Sequence, residues 1–300
     1  MLPIAFHSIF KHPLPEGHRF PMLKYELLPQ QLVLEGIAIE SDFFAPEIPD
    51  LQYILAVHDK EYVDDLLHLT LDPKAARKVG FPLSAQLVER ELRIANGTIL
   101  GCEKALTTGV AFNIAGGTHH AFSNRGEAFC LLNDQAIAAK YLLAKKIAEK
   151  ILIIDLDVHQ GNGTAEIFQN NPDVFTFSVH GKTNYPFKKE VSDLDIALPD
   201  GTSDNEYLSV IQEFVPKLIE QQKPDFIFYL SGVDILASDK LGKLGCTIAG
   251  CKKRDEIVFS NCKKFQIPMQ VSMGGGYSPE IKTIIEAHAN TYRVASDLFF

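Results

Sequence analysis

Hydrophobic positions along the chain fall into two kinds of run. Short stretches at Val110–Ala115, Ile151–Asp157, Val174–Val179, Phe226–Ser231 and Ile267–Met273 are apolar nearly throughout. A strand covered on both faces reads this way, whereas a half-buried one alternates. Longer helical patterns lie between them, at roughly Ser84–Thr107, Asp134–Glu149, Thr164–Asn170, Asp204–Gln222, Ala249–Phe265 and Pro279–Arg293. Two of these open on capping sequences, Thr202-Ser203-Asp204 and Ser278-Pro279. Strand–helix–strand alternation predicts an α/β fold: one open parallel β-sheet with helices on both faces. The first eighty residues are irregular and proline-rich, and read as helices and loops packed on that sheet. No repeat, low-complexity tract or linker divides the chain, so a single domain over 1–300 is expected.

Composition narrows the classes. With 46% hydrophobic and 22% charged residues among 300, the chain is globular rather than disordered or fibrous. The net charge of −9 argues against a nucleic-acid partner. No apolar run reaches the roughly 18 residues of a membrane span. The amino terminus lacks a basic leader and a long apolar stretch, so no secretory signal is expected and the cytoplasm is the expected location. Lys252-Lys253-Arg254 reads as the solvated face of a helix rather than a nuclear address. Five cysteines, at 102, 130, 246, 251 and 262, form no C-x-x-C. That argues against a disulfide framework or a structural zinc knot, and for a reducing compartment. Nothing in the pattern fixes an oligomeric state.

Ligands of open α/β sheets bind beyond the carboxyl ends of the strands. The run Ile151–Ile154 leads into Asp155-Leu156-Asp157-Val158-His159-Gln160-Gly161-Asn162-Gly163-Thr164. Side chains two apart on an extended chain point the same way, so Asp155, Asp157 and His159 can project together while Leu156 and Val158 face the core. Three such groups leaving a buried strand carry a desolvation cost that a cation relieves. Asp234, in Ser231-Gly232-Val233-Asp234, would join Asp157 and His159 in an O,N,O set that leaves a fourth position open, the pattern of a catalytic zinc. Two further strand ends carry Gly116-Gly117-Thr118-His119-His120 and Met273-Gly274-Gly275-Gly276-Tyr277. The latter lacks the phosphate-binding glycine patterns and reads as delivering a tyrosine hydroxyl.

Together, Gly-Gly-Thr-His-His, Asp-x-Asp-x-His-x-Gly-Asn-Gly-Thr, Ser-Gly-x-Asp and Gly-Gly-Gly-Tyr resemble the signature of the zinc-dependent histone deacetylase superfamily, in that family's order and over roughly residues 1–296. His18-Arg19-Phe20-Pro21-Met22-Leu23-Lys24-Tyr25 and Asn184-Tyr185-Pro186-Phe187 look most like its class IV branch and bacterial relatives. The resemblance implies that Asp157, His159 and Asp234 bind zinc, a set that also accepts ferrous iron. It implies that His119 and His120 flank the activated water, that Asp155 orients His119, and that Asn162 faces His120. Class I members carry Asp where this chain has the neutral Asn162. Tyr277 would hydrogen-bond the substrate carbonyl. Phe129 would form one wall of an acyl-lysine tunnel, with Gly275 and Gly276 also on the substrate side. A structural potassium ion is implied near the carbonyls of Asp155, Asp157, His159 and Val179 and the hydroxyl of Ser178. A second cation site would involve Phe168, Asn171 and Val174.

The implied function is a metal-dependent amidohydrolase that removes acetyl or longer acyl groups from lysine ε-amino groups in proteins or peptides. Acetylpolyamines or other small acylated amines are the alternative substrates, and the rim loops Ser8–Pro21 and Lys182–Asp193 decide between them. The absence of long insertions tilts the reading toward lysine. A two-metal ureohydrolase would need carboxylates at 161 and 232, where this chain has glycines. A non-catalytic module would be expected to have lost a ligand, the base or the tyrosine, and all are retained.

Overall fold

In a computed structural model of residues 1–300, the apolar runs pair side by side into one wholly parallel sheet of eight strands. These are β1 (Ile4–Ala5), β2 (Phe43–Phe44), β3 (Val110–Asn113), β4 (Ile151–Asp155), β5 (Val174–Gly181), β6 (Leu194–Leu198), β7 (Phe226–Leu230) and β8 (Met269–Ser272). Their spatial order is β2-β1-β3-β8-β7-β4-β5-β6. The chain thus leaves β3, builds β4 to β6 outward, then returns to fill the gap with β7 and β8. Ends of the four central strands therefore lie side by side.

The ten helices are α1 (Lys24–Leu34), α2 (Leu51–Leu55), α3 (Lys60–His68), α4 (Pro73–Val79), α5 (Ala85–Thr108), α6 (Asp134–Ala144), α7 (Asn162–Phe168), α8 (Asp204–Gln222), α9 (Ile248–Phe265) and α10 (Ile281–Phe299). Neighbouring residues of β3 show that both faces of the sheet are covered, because successive strand side chains point oppositely. Phe112 stacks on Tyr292 of α10 at 4.3 Å and meets Phe259 of α9. Asn113, next along, donates its amide to Ile94 O and Thr98 Oγ1 of α5. One contiguous apolar core joins the two faces. No helix is long and apolar enough to cross a membrane.

Differences from the sequence reading are local. The five central apolar runs form strands, with β4 ending at Asp155 rather than Asp157. The irregular first eighty residues contribute two strands as well as helices. β1 and β2 are two residues long, too short to show a period. β6, on the opposite edge, was also unmarked: its residues are mostly half-exposed, and Asp195 interrupts the apolar run. Helix α6 stops at Ala144, five residues early, and Lys146 just beyond it takes a left-handed φ of 56°. Arg254 corrects the solvated-face reading of Lys252-Lys253-Arg254, for it is completely buried. All five cysteines are buried free thiols.

Candidate active site

The turn after β4 is shaped by its own aspartates. Asp155 Oδ1 accepts from the Asp157 amide at 3.1 Å, and Asp157 Oδ1 accepts from the His159 amide at 2.9 Å. Each carboxylate thus caps the backbone two residues on, the local bond that lets Asp break a strand. The two aspartates then part in role. Asp155 turns its second oxygen to His119, whose Nδ1–H donates to it at 2.7 Å. Asp157 faces Asp234, which follows β7 and ties the two turns together by accepting from the Val158 amide at 2.9 Å.

Asp157, His159 and Asp234 bring one ligand atom each within 4.8 Å of one another, and all three are buried. His159 Nδ1 lies 2.9 Å from Asp157 Oδ1 and 3.1 Å from Asp234 Oδ2. Burial disfavours charge on His159, but the two carboxylates outweigh it and push its pKa up to about 10. Left to themselves, two buried carboxylates draw a proton onto the histidine between them. A divalent cation is the better partner for that donor set, and the residues fit one.

Arg254 supports this edge from below. Its guanidinium donates to Gly232 O at 2.5 Å, to Ser231 O at 3.2 Å and to Leu156 O at 3.4 Å. Asp255 accepts from Arg254 Nε at 2.9 Å and from the Tyr229 and Thr291 hydroxyls, so the buried charge is paired. A basic triplet opening a helix gave no sign of this.

His119 and His120 follow β3 on a loop pinned by Asp134. That carboxylate, at the first residue of α6, accepts from the Gly117 and Thr118 amides at 2.9 Å each and from the Thr118 hydroxyl at 2.7 Å. His58 braces the same loop: its Nδ1–H donates to Phe122 O at 2.9 Å, and its Nε2 accepts from the Asn133 amide at 3.0 Å. Both residues escaped the sequence reading, since a lone Asp at a helix start and a lone His have many structural uses.

The two adjacent histidines differ electrostatically. Burial lowers the pKa of His119, yet the Asp155 charge overcomes it and the net shift is upward. His120 is held well below its ordinary value by burial and by its histidine neighbours. Its Nδ1–H donates to Asn162 Oδ1 at 2.6 Å, leaving Nε2 with a free lone pair.

Tyr277 hangs from a glycine turn anchored on both sides. Its amide donates to Asp239 at 2.6 Å, and the buried Lys24 ammonium donates to Gly274 O at 3.0 Å while lying over the Tyr277 ring. Burial, then the Asp157 and Asp234 charges, keep the phenol protonated and so a donor. Gly275 backs the candidate metal donors: its N–H donates to Asp157 Oδ2 at 2.8 Å, and a β-carbon there would fall 2.0 Å from Asp234 Oδ2. Gly276 packs behind, against Val233 and His288. Crowding of the same kind occurs at Gly161, where a β-carbon would lie 2.4 Å from Asp155 Oδ2, and at Gly232, 2.4 Å from Asp157 Oδ2.

Phe129 closes the pocket, with ring centroids 5.0 Å from Phe20, 5.1 Å from Phe81 and 6.2 Å from Tyr277. Ala128 and Phe129 both have positive φ, 44° and 70°, costly for residues with a side chain. Hydrogen bonds to Lys78 O and Val79 O at the end of α4 hold them there. Across the mouth, Tyr185 stands edge-on to His120 at 4.9 Å. The residues named for further cation sites lie behind the pocket, and the first of these sites shares Asp155, Asp157 and His159 with it. Asp155 and Ser178 are opposite one another in the β4–β5 register, with Val179 next along β5, and the Ser178 hydroxyl meets His180 Nδ1 at 3.0 Å. Phe168 ends α7, and its carbonyl accepts from the Asn171 amide at 2.9 Å shortly before Val174 opens β5.

Comparison with known proteins agrees with this geometry. The histone deacetylase domain matches residues 18–292. An uncharacterised protein of Picosynechococcus is 43% identical over 99% of both chains. Histone deacetylase 2 of Arabidopsis thaliana is 28% identical over 89% of this chain and 72% of its own. The crystal structure of an HDAC homologue from Aquifex aeolicus superposes with a TM-score of 0.84 at 25% identity, covering 98% of this chain and 84% of that one. With the domain matched over nearly its whole length, the chain belongs to the histone deacetylase family, as a hydrolase of that superfamily.

Proposed function

We propose that the protein removes acyl groups, acetyl or longer, from the ε-amino group of lysine in proteins or peptides. The observation that carries the reading is the convergence of an Asp157/His159/Asp234 donor set, a histidine with a free Nε2 and a protonated phenol on one buried pocket. A divalent metal bound by those three residues, zinc or ferrous iron, would acidify a water and polarise the scissile carbonyl. His120 Nε2 takes the proton of the attacking water and returns it to the departing amine. His119, oriented by its bond to Asp155, stands beside the reacting group. Tyr277 donates its hydroxyl to the carbonyl oxygen as negative charge builds there. Phe129, Phe20 and Tyr277 give the pocket aromatic walls suited to an alkyl stem. A structural potassium ion held by the carbonyls of Asp155, Asp157, His159 and Val179 and by Ser178 belongs to the same reading, supported by the Asp155–Ser178 register.

Lysine in a peptide is favoured over an acylated polyamine by the lack of long insertions that would narrow the entrance. The test is to profile metal-loaded enzyme on acetyl-, trifluoroacetyl- and myristoyl-lysine peptides beside acetylated polyamines. Peptide turnover exceeding polyamine turnover is expected. The reverse order transfers the activity to small amines, and silence on all substrates would indicate a non-catalytic protein.

A further inference from the structure

Tyr277 sits at the end of Gly274-Gly275-Gly276, three residues with no side chains to pack. A glycine run has the widest backbone freedom of any segment, so the phenol must be placed by bonds from outside it. The Gly274 amide donates to Gly116 O at 3.2 Å and the Gly275 amide to Asp157 Oδ2 at 2.8 Å, while Gly275 O accepts from the Val233 amide at 2.9 Å. Nearest the phenol, the Tyr277 amide donates to Asp239 Oδ2 at 2.6 Å, a short bond to a carboxylate. One residue on, the Ser278 and Ser238 hydroxyls share a bond of 2.8 Å. Ser238 and Asp239, on the loop after β7, thus grip two consecutive residues, Tyr277 and Ser278. Asp239 is itself braced. Its other oxygen, Oδ1, accepts from the Leu241 and Gly242 amides at 2.8 Å each, and its own amide donates to Leu236 O at 2.9 Å. Leu241 O in turn accepts from Nδ2 of the buried Asn184 at 2.7 Å.

We propose that Asp239 is a positioning residue for Tyr277, fixing from the loop after β7 where the phenol stands when it donates to the substrate carbonyl. The inference rests on the acyl-lysine hydrolase reading for that role of Tyr277. A carboxylate presents acceptors on both oxygens, so Asp239 serves its own turn with one and Tyr277 with the other. An amide of the same shape cannot do both. With its oxygen toward the turn, its NH₂ would face the Tyr277 N–H, donor against donor. An oxyanion donor works only from the place where negative charge develops, and a misplacement of about 1 Å can cost about 10²-fold. Asp239 therefore acts on the reaction through the tyrosine it holds.

The tyrosine backbone provides the direct readout. In zinc-loaded protein labelled with ¹⁵N-tyrosine, the Tyr277 amide proton, assigned by its loss in Tyr277→Phe, should lie downfield, as a short bond to a carboxylate requires. Asp239→Asn should move it upfield. The same variant should lower kcat about tenfold, part of the roughly 10²–10³ that one oxyanion donor supplies. KM should stay within about twofold and zinc content should not change, as expected when an interaction made in the transition state is weakened. In a Tyr277→Phe background, Asp239→Asn should cost no more than about twofold further, because the group it places is already gone. An ordinary shift for that amide in the wild type, an amide unmoved by Asp239→Asn, or losses that multiply in the double variant would overturn the inference. Absence of acyl-lysine turnover in the wild type refutes the hydrolase reading instead, and the amide shift still decides whether Asp239 holds Tyr277.

Discussion

Asp157, His159 and Asp234 stand on the first turns after two neighbouring central strands, whereas Phe129 stands sixteen residues past β3 on a long connection and Tyr185 on the rim loop between β5 and β6. On the sheet edge, a buried parallel strand aims its next residues at one crevice, and aspartates close the turns through their own backbone. The geometry there is local and repeated. On the rim, position is imposed from a distance. Phe129 keeps a left-handed backbone because its amide is held by Val79, fifty residues earlier, and Tyr185 is held by Glu127. The lesson is that one pocket can combine a rigid chemical floor with a wall whose shape depends on tertiary contacts.

The floor should fail all at once. Stripping the metal, or replacing Asp234 with Ala, is expected to remove turnover entirely, with zinc or cobalt restoring only the wild type. Assay against elemental analysis checks this, and full activity in verified metal-free protein would sink the metal reading. Tyr277→Phe comes next in size, a fall in kcat of about 10²–10³ with metal content unchanged, typical of one lost oxyanion donor. Wild-type kcat in that variant would take Tyr277 out of the chemistry. The wall should fail by degrees: Phe129→Ala is expected to raise KM about tenfold while kcat stays within about threefold, and to alter the preferred acyl length. Losses falling on kcat instead would mean that wall and floor are not separable.

A stability measurement sharpens the contrast last. His58, 2% exposed, accepts at one nitrogen and donates at the other, so protonation breaks the bond from Asn133. Burial brings its pKa down to about 4, against about 6.5 in an unfolded chain. The unfolded state therefore binds the extra proton first. The stability His58 contributes is complete above pH 6.5 and is lost as pH falls through about 4, at most about 3 kcal/mol. Denaturant titrations at pH 7 and pH 4.5 should show the loss in the wild type and a smaller one in His58→Gln. Equal losses would assign the effect elsewhere.

What could be read from the residues follows the same division. The five central strands and the convergence of Asp157, His159, Asp234, His119, His120 and Tyr277 were legible because doubly covered strands are apolar throughout and polar groups gather at their ends. β1, β2 and β6 were not, because two residues carry no period and a half-exposed edge lacks a continuous apolar run. Asp134, His58, Arg254 and Glu127 were invisible for another reason. Each acts on residues brought close only by folding, at sequence separations from 16 to 98.

The crowded glycines bear on how this fold can change. At Gly161 and Gly232, where a second metal would need its carboxylates, even a methyl group would collide with Asp155 or Asp157, at 2.4 Å. A single substitution toward a two-metal centre would therefore damage the one-metal site before adding anything to it. Both replacements would have to arrive together with a retreat of the aspartates, and each step alone would be selected against. Under the proposed function, one-metal chemistry is in this sense a trap: the space that a different reaction requires is filled by the groups assigned to the present one.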